Sequence, residues 1–188
     1  MTNSKLSIRQ ITISALMIAA LIVCTQISFN LPGGIPVTMQ TYAIALIGFL
    51  LGLKMGTFIV GVYLILGLIG LPVFSNFGSG PAKLVGPTGG YLIGFIPMII
   101  LIGLAGKIIQ KNKSPVTYIR TILLASAGLI CCHLLGIIWL AVRTDMGLVA
   151  ATISGSLPFI LKDIISVVLG YLTAEILSKP LNRVLTKV

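Results

Sequence analysis

Apolar residues in this chain come in long unbroken runs. The runs extend over roughly Ile8–Ser28, Met39–Leu53, Met55–Gly70, Gly89–Gln110, Val116–Val142 and Leu157–Leu177. A bilayer core is crossed by about 20 residues of helix. The short alternating segments of a membrane barrel are missing, so helices are the spanning structure that the pattern permits. The second and third runs meet at Gly52-Leu53-Lys54-Met55-Gly56. One helix of their combined length overshoots a bilayer, and the glycines there permit a tight turn. The pattern therefore predicts six spans. The first run follows Lys5 and Arg9 as a signal peptide does, but it is long for that role. It leads into Phe29-Asn30-Leu31-Pro32 instead of a small-residue cleavage site, so it reads as a retained span.

Composition strengthens this reading. The chain is 57% hydrophobic and 9% charged, with a mean hydropathy of +1.14. Soluble domains carry about 25% charged residues. A chain this apolar has too little polar surface for water and is solvated by lipid. The net charge is +10, and its placement is informative. With the N-terminus inside, six spans put Lys5, Arg9, Lys54, Lys107, Lys111, Lys113, Arg120, Lys179, Arg183 and Lys187 on the cytoplasmic side. The outer loops keep Lys83, Arg143 and Asp145. This is the positive-inside bias, and an odd number of spans spoils it. Both termini are thus expected in the cytoplasm, with the chain in the cell membrane. No basic stretch is interleaved with aromatics, so nucleic acid is not an expected partner.

The chain reads as one domain over residues 1–188. The first outer loop, Phe29 to Thr38, and the second, Leu71 to Tyr91, are rich in Gly and Pro and almost uncharged. Solvated linkers are polar. Apolar loops of this kind fold back as a cap over the bundle; plain reverse turns are the competing reading. Cys24, Cys131 and Cys132 lie in apolar runs and behave as small hydrophobes. Cys131-Cys132-His133 has metal-ligand residue types, but neighbours on a helix splay apart. No metal is expected, and His133 reads as a buried, hydrogen-bonded helix contact.

The chain has three acids, Asp145, Asp163 and Glu175. Only Asp163 lies inside a span on its outer half, a little over one turn after Pro158. A carboxylate there costs about 2.5–3.5 kcal/mol on insertion scales, so it needs a ligand or a partner cation. Lys83 and Lys162 are candidate cations. Lys162 is adjacent in sequence and projects about 100° away, which makes direct pairing awkward. It can instead snorkel to the outer interface. Lys83 offers an ammonium to an anionic ligand or is an ordinary exposed lysine. The run Gly78-Ser79-Gly80-Pro81-Ala82-Lys83 lacks the Gly before Lys and the Ser or Thr after it that a phosphate loop needs. No nucleophile–base set appears, so no enzyme is expected and no cofactor. The spans carry no polar series of the kind that lines a channel. The composition and Asp163 together favour capture of a small molecule for import.

Small residues recur at four-residue spacing: Ala15 with Ala19, Gly48 with Gly52, and Gly90 with Gly94. They let helices approach closely, and the Ala15–Ala19 face is also suited to docking a partner helix. Further residues carry a family likeness. Leu71-Pro72-Val73-Phe74, then Gly86-Pro87-Thr88-Gly89-Gly90-Tyr91-Leu92 and Gly94-Phe95, resemble the BioY family of biotin transporters. Pro36-Val37-Thr38-Met39-Gln40-Thr41 and Pro158-Phe159 followed by Asp163 resemble two of its other stretches. The resemblance implies an all-α membrane protein, a bundle of six transmembrane helices whose outer loops cap a ligand site. It implies a substrate-binding S component of an energy-coupling factor (ECF) transporter, working with a transmembrane coupling subunit and two ATPase subunits. It implies ligand contacts from Asp163, Asn76, Tyr91, Lys83, Lys162, Thr38 and Gln40, and docking through Ala15 and Ala19. Biotin's ureido ring offers two N–H donors, which suit Asp163 and Asn76, and Tyr91 suits the bicycle. The family's last-helix motif carries Gly where this chain has Lys162 and Lys where it has Ser166, so Lys162 or Lys83 is left to meet the ligand carboxylate. An S component for another vitamin is the nearest alternative.

Overall fold

The structure, a computed structural model, describes residues 7–30 and 35–186. Lys5 and Lys187, used in the charge argument, and residues 31–34 of the first outer loop lie outside the described residues; so does the side chain of Arg183. The elements are α1 (Ile8–Gln26), β1 (Ser28–Asn30), β2 (Pro36–Thr38), α2 (Gln40–Leu68), α3 (Gly80–Val85), α4 (Gly89–Lys111), α5 (Pro115–Thr144), α6 (Leu148–Gly155) and α7 (Leu157–Thr186). Among the described residues, α1, α2, α4, α5 and Leu157–Pro180 of α7 are long and apolar enough to cross a membrane. The expected class, a helical membrane protein, is what the chain forms.

Helix α2 is folded in two. Gly52 sits at φ 71 and ψ −170, a conformation open to glycine and closed to residues with a Cβ. The chain reverses there. Gln40 Nε2 donates to Tyr63 Oη at 2.8 Å, although 23 residues of straight helix span about 35 Å. The reversal point is the one that the glycines predicted. It leaves carbonyls at the end of the first arm without helical partners. The Gln110 side chain of α4 supplies them, donating to the Phe49 and Leu50 carbonyls. Close approach makes this possible: a Cβ on Gly106 would stand 2.5 Å from the Gly48 carbonyl oxygen, and one on Gly103 2.7 Å from Leu53 Cα.

The core centres on α2 and α4, with Ile44, Ile59, Val60, Met98, Ile99 and Ile102 fully buried. Helix α5 packs on α4 through the predicted small pair, since Cβ atoms on Gly90 and Gly94 would stand 2.2 Å from Trp139 and 2.9 Å from Cys132. Ala15 and Ala19 are exposed on α1 and take no part in the core.

The outer loops are more structured than a cap of irregular chain. The first is a two-stranded hairpin pairing Phe29 with Val37. The second holds a 3₁₀ turn, Ser75–Phe77, and then α3. Gln26 at the end of α1 clamps that turn, donating to the Phe74 carbonyl at 3.1 Å and accepting from the Phe77 N–H at 3.0 Å. Phe74 is fully buried and plugs the space where Gly67 has no side chain. The third outer loop contains α6, which the hydrophobic runs did not separate from its flanks.

Candidate functional site

Beneath these loops lies a chamber of about 70 Å³. Its walls come from β2, the first turns of α2 and α4, α3, α5 and the start of α7. They include Thr38, Gln40, Thr41, Lys83, Tyr91, His133, Phe159, Lys162 and Asp163. Six of the seven residues expected at a ligand therefore share one chamber. Asn76 is not among its lining residues. The positive φ of Asn76 and Phe77 turns the chain there, so that Ser75 faces inward while Asn76 accepts from Ser28 Oγ at 3.0 Å on the exposed side.

Asp163 is the centre of the site and is 6% exposed. Its Oδ2 meets His133 Nε2 at 3.2 Å, and its Oδ1 is paired with the Lys162 ammonium. The expectation that Lys162 is badly placed for direct pairing is thus corrected. The angle between adjacent Cβ vectors does not limit a four-carbon side chain that curls back on its own helix. Lys162 does not snorkel outward either. Its Nζ also donates to the Thr38 carbonyl at 2.9 Å, tying α7 to the hairpin cap.

His133 is a buried helix contact, as its residue type suggested, but it is also a wall of the chamber, which sequence reasoning missed. Its Nδ1 lies 2.9 Å from Ser156 Oγ. Ser156 Oγ lies 3.1 Å from Tyr91 Oη, and that phenol donates to the Gly155 carbonyl. The Tyr91 ring stands edge-on to the imidazole at 6.1 Å. Asp163, His133, Ser156 and Tyr91 thus form one polar chain across α7, α5 and α4. Buried networks of this kind fix geometry when their members are satisfied.

Thr38 and Gln40 serve a second network. Thr38 Oγ1 donates to Gln40 Oε1 at 2.9 Å, and Gln40 Nε2 donates to Tyr63 Oη. Tyr63 Oη in turn donates to the Val73 carbonyl at 3.2 Å. Thr38 and Gln40 shape the chamber wall while their polar atoms are engaged with one another. Lys83, on α3, is the lining cation with no carboxylate partner among the described residues. The Gly86-to-Tyr91 run owes its glycines to packing. A Cβ on Gly89 would stand 1.6 Å from the Leu84 carbonyl oxygen, and Trp139 Nε1 donates to the Gly86 carbonyl at 2.9 Å.

A helical membrane bundle with a polar chamber under structured loops has the architecture of a small-molecule carrier. A model of the BioY family matches residues 1–183, and the chain belongs to that family. It is 37% identical over 171 residues to the biotin transporter BioY of Thermotoga maritima, covering 91% of this chain and 96% of that one. It is 35% identical over 167 residues to a probable biotin transporter BioY of Pyrococcus horikoshii, covering 89% and 94%. Among solved structures, the crystal structure of the S-component for biotin from an ECF-type ABC transporter superposes with a TM-score of 0.81. That protein is 34% identical, with 95% of each chain covered.

Proposed function

We propose that this chain is the biotin-capturing S component of an ECF transporter. The observation that carries the reading is the Asp163 carboxylate held inside the capped chamber by His133 and Lys162. Membership of a family of biotin transporters supports it. An ionised carboxylate accepts more than two hydrogen bonds, so Asp163 retains capacity for the ureido N–H groups. Tyr91 and Phe159 cover the bicycle. Lys83 takes the ligand carboxylate, because Lys162 is already committed to Asp163 and Thr38. Asn76 reaches the ligand only if the 3₁₀ turn rotates. The chamber is smaller than the 300–1,000 Å³ of ordinary ligand clefts, so it widens to take the ligand, and the Lys162–Thr38 tie to the hairpin is the contact that gives.

The fold of α2 supports six crossings, the two arms meeting the membrane as separate spans, with both termini in the cytoplasm. The exposed Ala15–Ala19 face of α1 docks the coupling subunit, which joins the S component to two ATPase subunits. The chain itself catalyses no reaction.

The test compares biotin with its methyl ester on the parent, Lys83→Met and Asp163→Asn proteins. Asp163→Asn keeps the shape and removes a charge-assisted bond worth about 1.5–3 kcal/mol, so affinity for both ligands drops by about one to two decades. Lys83→Met weakens biotin alone and leaves the ester unchanged. An Asp163→Asn protein that folds and binds biotin as the parent does refutes the site.

A further inference from the structure

Helix α7 is bridged to α5 at one level and to the segment that leads into α5 at another, and the two helices stand apart between them. His133 meets Asp163 at 3.2 Å at one level, and Lys113 meets Glu175 at 2.6 Å at the other. From Lys113 to His133 the chain advances 20 residues, but from Asp163 to Glu175 only 12. The helical part of the first path, Pro115 to His133, is about 27 Å, against about 18 Å on α7. The Lys113–Ser114 lead-in and the reach of the lysine side chain take up the difference, and between the two bridges the helices leave a gap. That gap is a cavity of about 330 Å³, with Phe49 at its back, Tyr118, Ile122 and Ser126 on one side, and Val168 and Tyr171 on the other. Ile122 is 63% and Val168 51% exposed, so the slot opens sideways into the hydrocarbon. Because the slot is open to the hydrocarbon, lipid fills it, and it is roomier than the dry apolar cavity of about 150 Å³ that already takes up benzene.

We propose that this slot binds one acyl chain of an anionic membrane phospholipid, with the head group at the Lys113 end. The lining is apolar apart from a few hydroxyls, and that of Thr121 is turned to its own helix, donating to the Thr117 carbonyl at 2.9 Å. A partner helix fits poorly. It is about 10–12 Å across with its side chains and lies over a slot closed at both ends by ion pairs, not within it. A flexible chain enters sideways and lies along the stretch from Tyr118 to Leu129, about 16 Å of helix. Charge sets its direction. At one end Lys111, Lys113 and Lys179 are exposed and outnumber Glu175. At the other end His133, Lys162 and Asp163 are committed to the chamber. A phosphate is attracted to the first end alone. Leu129 borders both slot and chamber, so the bound chain braces the chamber from below.

The experiment uses the full chain and its Ser126→Phe and Val168→Phe variants. Both positions are exposed to the slot, and neither lines the chamber. Each protein is reconstituted in nanodiscs of equal phosphatidylglycerol and phosphatidylcholine, moved to mild detergent and weighed by native mass spectrometry. The parent is expected to retain one phosphatidylglycerol, and either variant about tenfold less. Leu172→Phe, on the same helix but outside the slot, retains it. A phosphatidylglycerol with a diazirine on its acyl chain labels the parent at Ile122 and Val168, which tests the site with no substitution at all. The idea is overturned by a parent without lipid, by equal retention of phosphatidylcholine, by retention unchanged in both slot variants, or by a dimer in place of the lipid-bearing monomer.

Discussion

The two bridges that tie α7 to α5 and to the segment leading into it each join a carboxylate to a nitrogen base, and they behave as different objects. At the outer level the Asp163 and His133 side chains are 8% and 11% exposed. At the basic end Lys113 and Glu175 are 53% and 35% exposed. In the first, water is excluded, and the carboxylate depends on protein partners from two helices. In the second, water offers each charge a substitute. A pair of the second kind contributes about 0–1 kcal/mol. Breaking a pair of the first kind costs about 3–5 kcal/mol, because a charge is left buried without a partner. The difference teaches where the fold is specified: the outer level fixes geometry, and the basic end supplies charge.

The comparison is broken most severely at Asp163. Asp163→Ala leaves the partly buried Lys162 and His133 without their acceptor. We expect a loss of about 3–5 kcal/mol, read as a lowered midpoint of thermal unfolding in detergent, together with loss of biotin binding. A smaller effect is expected at His133. His133→Leu fills the space but removes one of the two partners of Ser156 and the His133 contact of one carboxylate oxygen, at about 1–3 kcal/mol. Its affinity for biotin drops less than that of Asp163→Asn, since Lys162 still holds the other oxygen. Equal losses in the two would show that His133 is itself the ligand contact.

The smallest effect belongs to the basic end. Glu175→Gln should change stability by less than about 1 kcal/mol, and by less still at high salt. The hydrogen bond from Lys113 to Glu175 raises the lysine pKa above its ordinary value of 10.5. A raised lysine stabilises the fold fully below that ordinary value, and the contribution is lost as pH rises through the raised one. Unfolding midpoints of the parent and Glu175→Gln should therefore run parallel from pH 6 to 9 and converge only in stronger alkali. Convergence below pH 9 would contradict the exposed-pair account.

What the sequence disclosed follows from what hydropathy and chain chemistry can carry. The membrane helices were legible because lipid demands long apolar runs. The reversal in α2 was legible because glycine is the residue that adopts φ 71. Asp163 was legible because an acid inside a span needs a reason to be there. Directions were not legible. The residue type of His133 gives no sign of which neighbour it faces, so its place between Asp163 and Ser156 emerged only from packing. Lys162 was misjudged because helical angle describes Cβ and not the end of a flexible side chain. Asn76 was misplaced because two consecutive positive-φ residues rotate the loop. Helix α6 was missed because Leu148-Val149-Ala150-Ala151-Thr152-Ile153-Ser154-Gly155 is short, apolar and partly β-branched, and so reads equally as a turn between spans.

The amide of Gln110 has a consequence for how the protein is made. It satisfies the Phe49 and Leu50 carbonyls at the fold in α2, yet it emerges from the ribosome some 60 residues after them. While those residues are being synthesised, the reversal has its glycine but not its cap. Carbonyls without partners are costly in hydrocarbon, so the nascent hairpin must keep its turn in water or at the head groups until α4 arrives. Lys54, two residues past Gly52, holds the turn at that interface in the meantime. The order of synthesis thus makes α4 the element that seals the first half of the protein. With Leu53→Cys placed in a Cys24→Ser background, nascent chains arrested before residue 110 should expose the α2 turn to aqueous thiol reagents, and chains arrested once α4 has entered the membrane, but before Cys131, should protect it.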